Sequence, residues 1–547
     1  MKRIYSVFVI ALLLILSGCH LSKHEPGAEI EASDGGLIKV QGTRFIDTFG
    51  RQVIFSGFNY VDKNPAENYI LKDSVELYNQ FHKWGINCLR LGLIWDGVEP
   101  EPGKYDEKYL DAMEQKVKWA GNHNIYIMLD MHQDLYSRRF SDGAPLWATL
   151  DEKLPHQTGA IWSDSYLMSG AVQRSFDNFW ENKPVADGIG VQDHYVNMWK
   201  HLAQRFSKYD NIIGYDVMNE PFNGSNANMV MPLILTEYAK LLVEETGQAP
   251  PGEQELLMMW ADEKSRLKVL KKLANAAKYS RIIDAALEPV RQFETTKLQS
   301  FYQRATDAIR LADTTHIIFL EHGYFSNTGI KTSIEPVNGK TGQRDPQQAY
   351  AAHAYDLIVD TKDADNQSNE RVDLIFSRIQ ETSKRTNMPV LVGEWGAFYG
   401  LDAASIQPAR FILSLFERYN FGNTYWAFNG EMGIKPGFKE ALLRPFPQYT
   451  AGSLNSYSLN HEAGVFACCW QEDSKIVQPT VIYIPDLKYL IKESIKLMPE
   501  VKSTVIQSIE NSDSGYLIIP VSGKSIQRNL EFKLRTDHTS ISIDRKN

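Results

Sequence analysis

Glu220 and Glu394 carry the residue type and the setting from which chemistry can be read. Glu220 closes the run Gly214-Tyr215-Asp216-Val217-Met218-Asn219-Glu220-Pro221, and Glu394 closes Pro389-Val390-Leu391-Val392-Gly393-Glu394-Trp395-Gly396. Each run is short and apolar, the pattern of a buried parallel strand, so each carboxylate is expected to emerge at a strand's C-terminal end. Two carboxylates facing each other there can break a glycosidic bond. One stays protonated for the departing oxygen and the other stays ionised to attack the anomeric carbon, at a separation of roughly 5–5.5 Å in a retaining pair.

Positioning such a pair needs strands that converge. Apolar strand patterns occur at 53–59, 88–94, 125–131, 212–218, 317–321, 349–354, 390–394 and 424–428, with helical spacing at 75–84 and 109–122 among the segments between them. Eight strands in this alternation predict an α/β fold, a (β/α)8 TIM barrel. A doubly wound open sheet is the alternative, but no Gly-rich phosphate loop follows the first strand, and the polar residues gather behind several different strands.

At 547 residues and 43% hydrophobic content the chain can bury a barrel and a smaller second domain. A formal net charge of −9 argues against a nucleic-acid partner, which needs a basic stripe or patch. Residues 1–19 read as a lipoprotein leader: Lys2 and Arg3 precede an apolar stretch too short for a membrane span. Leu16-Ser17-Gly18-Cys19 resembles a bacterial lipobox, which implies acylation of Cys19 and a membrane held through that lipid; an ordinary secretory leader is the alternative. His20 follows rather than aspartate, so the expected location is the cell envelope, at the outer membrane or cell surface of a Gram-negative host. Residues 20–36 form a polar tether. Cys88, Cys468 and Cys469 make no disulfide framework; the adjacent pair is expected to be reduced, and no Cys/His spacing suggests zinc.

Residues 37–455 are expected to hold the barrel and 456–547 a C-terminal β-sandwich, with strands at 480–484, 516–519 and 539–543 and a helical interruption at 489–497. About ninety residues separate Pro221 from the fifth strand, far more than a βα unit needs, and helical spacing at 253–277 and 282–312 predicts a helical insertion over about 228–315. Its start, residues 229–235, is apolar on all sides; it suits a buried helix start or a greasy lip for a lipid chain.

The remaining polar candidates also sit at strand ends. Arg90 lies in an apolar run and must be paired; bonding to Glu394 would hold that carboxylate ionised. His132 and Asp134 follow the third strand, and Asn219 precedes Glu220, where it can reach a sugar 2-hydroxyl. His353 and Tyr355 can orient the glutamates, and Trp426 can floor a sugar subsite. In that order, Arg, His, Asn-Glu-Pro, His-x-Tyr, Glu-Trp-Gly and Trp resemble glycoside hydrolase family five. The resemblance implies that Glu220 is the acid/base and Glu394 the nucleophile, with a raised Glu220 pKa from burial beside Glu394.

Within that family the chain is similar to endoglycoceramidases in five stretches: Gly57-Phe58-Asn59-Tyr60 with Lys63, residues 97–106 (GVEPEPGKYD), 130–134 (DMHQD), 143–148 (GAPLWA) and 444–452 (RPFPQYTAG). This implies that Lys63, His132 and Asp134 bind the sugar next to the scissile bond, with Asn219, Tyr355 and Trp426 completing the subsite. It further implies a retaining endo-β-glycosidase that separates oligosaccharide from ceramide in glycosphingolipids, with no cofactor or metal required. A β-glucanase or other polysaccharide hydrolase of the family is the alternative substrate reading, and a non-catalytic glycan- or glycolipid-binding lipoprotein the alternative of another class. Two departures bear on the leaving group: the long insertion, and Glu321-His322 where relatives often place Glu-Pro.

Overall fold

The computed structural model describes residues 36–359, 361, 363–500 and 503–535. The leader 1–19 with Cys19, residues 20–35 of the tether and the candidate strand 539–543 lie outside the described residues.

Eight parallel strands form the barrel: β1 Ser56–Tyr60, β2 Cys88–Ile94, β3 Tyr126–His132, β4 Ile212–Asp216, β5 Ile317–Leu320, β6 Gln348–Tyr350, β7 Leu391–Val392 and β8 Gly422–Tyr425. They lie in chain order, with β8 between β1 and β7. Closure between β6 and β7 comes from the Tyr350–Val390 bridge and from the parallel pairing of His353–Ala354 with Glu394–Trp395. Every residue of β2 and β3 is buried, as expected for strands covered on both faces.

The first strand begins later than its apolar pattern suggests. Gln52–Val53 leave the barrel and pair antiparallel with Phe446–Thr450, so the chain's start is built into the C-terminal domain. That domain stacks a seven-stranded sheet, which includes Lys39–Gln41 and Arg44–Ile46, with a four-stranded one. Residues 489–497, expected as helix, form the edge strand Leu490–Met498. A bulge between Ile491 and Lys496 lets both Leu490 and Leu497 turn inward, and that spacing of seven imitates a helical repeat. Cys88, Cys468 and Cys469 are free.

The insertion between β4 and β5 is more divided than a hairpin. Its helices are Ala227–Thr246, Glu253–Ala261, Glu263–Lys272, Ala276–Asp284 and Leu287–Phe293. Val230, Leu235, Tyr238, Val269, Leu273, Ile282 and Ile283 give it a core of its own. Gln299–Ala312, which the sequence placed in the insertion, instead packs into the barrel core through Phe301, Tyr302, Ala305 and Ile309. At its start, Val230 and Leu235 are buried while Met229 and Leu233 are exposed, so the all-round apolar segment serves a core and a surface at once.

The sandwich closes the barrel floor. Cys88, Tyr126, Met128, Ile213, Ile317 and Phe319 from the strand bottoms share one apolar layer with Tyr449, Trp470, Ile482 and Ile518. Phe55, on the link from sandwich to β1, meets Phe45 at 5.2 Å and Tyr126 at 5.6 Å, both edge-on. Replacing Phe55 by alanine should cost about 3–5 kcal/mol. A lowered denaturation midpoint, with barrel and sandwich probes shifting together, is the expected result in a chemical unfolding series.

Candidate active site

The site is organised around Arg90, which is wholly buried in β2. Its Nε donates to Asp216 Oδ2 at 2.9 Å, and its Nη1 to Asn59 Oδ1 at 3.0 Å and Glu394 Oε1 at 2.9 Å. Nη2 donates to Asn219 Oδ1 at 2.8 Å and Glu321 Oε1 at 2.9 Å, and pairs with Asp130 Oδ1 at 2.9 Å. One guanidinium thus ties together groups from β1, β3, β4 and the ends of β5 and β7. Glycine stands at position 393 where this crowding is greatest: a Cβ there would lie 3.0 Å from His353 Nε2 and 3.3 Å from Arg90 Nε.

Glu220 and Glu394 face each other across His353. Its Nδ1 lies 3.0 Å from Glu220 Oε1 and 3.6 Å from Glu394 Oε2, while Nε2 lies 3.3 Å from Glu321 Oε1. An oxygen from each of Glu220 and Glu394 falls within 4.8 Å of the other. That proximity fits the short separation of a retaining pair. Tyr355 donates to Glu394 Oε2 at 2.9 Å, so the carboxylate is held at both oxygens.

The electrostatics differ from group to group. Burial pushes Glu220 up to about 7, against the pull of His353. His353 is raised well above the usual imidazole range, because Glu321 and Glu394 outweigh its burial. Glu321 is buried too, yet His353 and Arg90 bring it down to about 2. Burial and the negative Glu321 beside it push Asp216 well above the usual carboxylate range, against the pull of Arg90.

The mouth of the barrel carries the remaining candidates. Lys63 pairs with Asp134, lies 3.9 Å from Asp142 and sits 4.5 Å above the Trp426 ring. His132 stacks on Trp426 at 5.2 Å, and its Nδ1 is fixed by Asp130 Oδ2 at 2.8 Å. Its Nε2 has no hydrogen-bond partner and lies 4.0 Å from Asp134 Oδ2. Asn219 gives one amide hydrogen to the Gln133 carbonyl and keeps a second. Every candidate from Lys63 to Trp426 therefore gathers at this end of the barrel.

The site holds further residues beyond the sequence motifs. Asp130 and Asp216 were legible by the same signal as Arg90, a charge inside an apolar strand. Asn327 was not: it lies in the turn Tyr324–Thr328 and donates to Glu220 Oε1 at 2.6 Å. His322, expected as a departure, orients it. Tyr350 OH lies 2.5 Å from His322 Nδ1, and His322 Nε2 lies 2.8 Å from Asn327 Oδ1. Burial lowers His322 to about 4, so a neutral ring links the tyrosine to the amide.

Among the described residues, three groups bring potential metal ligands within 4.8 Å: His132-Asp134-Asp142, Glu220-His353-Glu394 and Asp130-Asp216-Glu321. Each already surrounds or contains a cation of the chain itself, namely Lys63, His353 and Arg90.

From the glutamates a cavity of about 460 Å³ continues between the barrel and the insertion. Its near end is lined by Lys63, His132, Asp134, Glu220, Glu394 and Trp426; its far arm by Met231, Ile234, Tyr238, Val269, Ile282, Phe325 and Ile330. Polar residues of the strand ends and a mostly apolar set from the insertion thus line one cavity.

Comparison with known proteins places these features in a family. Residues 46–432 match the cellulase (glycosyl hydrolase family 5) profile, and 444–517 match the glycoside hydrolase family 5 C-terminal domain. An endoglycoceramidase of Cyanea nozakii is 33% identical over 214 residues, 33% of this chain and 41% of that protein. Endoglycoceramidase I of Rhodococcus hoagii (strain 103S) is 24% identical over 462 residues, covering 83% of this chain and 80% of its own. The structure of endo-glycoceramidase II from Rhodococcus sp. superposes with a TM-score of 0.66 at 24% identity, over 89% of this chain and 99% of that one.

Replacing Arg90 by methionine would leave its carboxylates buried without their cation, which should destabilise the protein by about 3–5 kcal/mol. A melting temperature close to that of the parent would show that the network is held by other means.

Proposed function

The chain belongs to glycoside hydrolase family 5, and on that premise we propose that it is a retaining endo-β-glycosidase that cleaves oligosaccharide from ceramide in glycosphingolipids. The observation that carries the reading is the divided cavity. A glucan chain needs polar, ring-stacking surface on both sides of the scissile bond, whereas here the insertion lines the cavity with Met231, Ile234, Leu235, Val269, Leu273 and Ile282. Of the tryptophans, Trp426 and Trp162 are the two among its described lining residues. The relatives named endoglycoceramidases, matched along most of the chain in one case, support the same choice.

In this reading the glycan enters over Trp426, with Lys63, His132, Asp134 and Asn219 around its reducing-end sugar, and the two alkyl chains lie in the insertion arm. Glu394, gripped by Arg90 and Tyr355, attacks the anomeric carbon. Glu220 protonates the ceramide oxygen and then, as carboxylate, activates the water that releases the glycan. His353 moves no atom of substrate; its Nδ1 lies between the two glutamates, and its hydrogen bond to Glu220 keeps that carboxyl from rising further.

Incubating the protein with lactosylceramide and with a soluble β-glucan tests this directly. Intact lactose and free ceramide, identified by mass spectrometry, are expected; release from the glucan alone would move the enzyme to the polysaccharide branch. The pH dependence gives a second check. Protonation of the leaving group requires Glu220 with its proton, so kcat/KM for lactosylceramide should fall as pH rises through about 7. A dinitrophenyl lactoside, whose leaving group departs unprotonated, should lose much less over the same range. Equal losses would remove Glu220 from the acid role.

A further inference from the structure

Arg266 is a buried cation that the chemistry above does not use. It lies on the inward face of the helix Glu263–Lys272, is 3% exposed, and lines the same cavity from the insertion side together with Val269 and Leu273. Its Nε is buried without a hydrogen-bond partner, and among the described residues no carboxylate forms an ion pair with its guanidinium. The helix's own acidic cap, Asp262, spends its carboxylate on the Ser265 backbone N–H. Asp164, which does line the cavity, accepts from the Ile161 N–H and forms no ion pair with Arg266 among the described residues.

A buried guanidinium is tolerated when it is paired, and leaving one unpaired in apolar surroundings is strongly unfavourable. Its planar fork of donors matches a carboxylate or a comparable oxyanion at two points. A plain hydrocarbon in this arm would expel water from Arg266 and return nothing to it. An apolar chain that ends in an oxyanion would satisfy both the aliphatic walls and the guanidinium.

We propose that the insertion arm is a binding site for an anion-ended amphiphile, a long apolar chain whose carboxylate-like group pairs with Arg266. Two sources share that chemistry: a free fatty-acid anion that would exclude the natural aglycone, and a glycoside whose own aglycone carries an acidic end. The inference rests on Arg266 and the cavity walls, so it stands or falls separately from the preference for ceramide.

Calorimetric titration of the whole protein with laurate, dodecanol and dodecyltrimethylammonium, each below its micelle concentration, reads the site without reference to turnover. Laurate should bind at least about tenfold more tightly than either of the others, and Arg266→Met should abolish that advantage while leaving dodecanol unchanged. Arg266→Lys should keep part of it. The two sources separate in a kinetic arm that compares an alkyl lactoside ending in a carboxylate with its methyl-ended twin. A lower KM for the acid in the parent but not in Arg266→Met assigns the anion to substrate; equal KM values, with laurate still bound through Arg266, assign it to a free amphiphile. Laurate binding no more tightly than dodecanol to the parent protein overturns the proposal, and so does an advantage that survives Arg266→Met.

Discussion

A single guanidinium holds the centre of this barrel. Arg90 meets Asn59, Asp130, Asp216, Asn219, Glu321 and Glu394 at 2.8–3.0 Å in a place that water does not reach. Burying so many acidic groups is unfavourable unless each is paired or protonated. The shared cation answers that condition for several of them at once, and burial beside Glu321 raises Asp216 above the usual carboxylate range. Since the partners come from most of the strands, the position of each strand end relative to β2 is tied to the same bonds. The glutamate pair inherits its geometry from that constraint.

Charge placement then divides labour between two chemically identical side chains. Glu394 is clasped by a permanent cation and a phenol, and Glu220 has instead an amide, a histidine and apolar walls. Burial without a permanent countercharge raises Glu220 to about 7, where it can both give and take a proton. His353 is the coupling element, since it lies between Glu220, Glu321 and Glu394. The turn that carries Asn327 and the ring of His322 add a second, uncharged support on the Glu220 side.

Much of this was legible because buried parallel strands print themselves as apolar runs, and any charge inside such a run demands a partner. That is how Arg90, Glu220 and Glu394 could be found, and Asp130 and Asp216 obeyed the same rule. The pieces that were not legible depend on tertiary contact. Val53 read as barrel because an apolar residue has no label for which sheet it joins. Leu490–Met498 read as helix because a bulge changed the parity of its buried leucines. Gln299–Ala312 shares its helical spacing with the insertion but packs elsewhere, and Asn327 sits in a short turn outside the strand-end motifs. The segment around Met231 was ambiguous for a physical reason: the helix has one face in the insertion core and another on the cavity.

The most direct test of the account concerns the identity of the nucleophile. Incubation with a 2-deoxy-2-fluoro-β-lactosyl fluoride slows breakdown of a glycosyl-enzyme more than its formation, so a retaining enzyme accumulates the covalent species. Intact-protein mass should rise by one fluorolactosyl unit, and peptide mapping should place that unit on Glu394. A label on another residue would contradict the assignment of roles, and release of the inverted anomer from natural substrate, with no adduct, would contradict the double displacement itself.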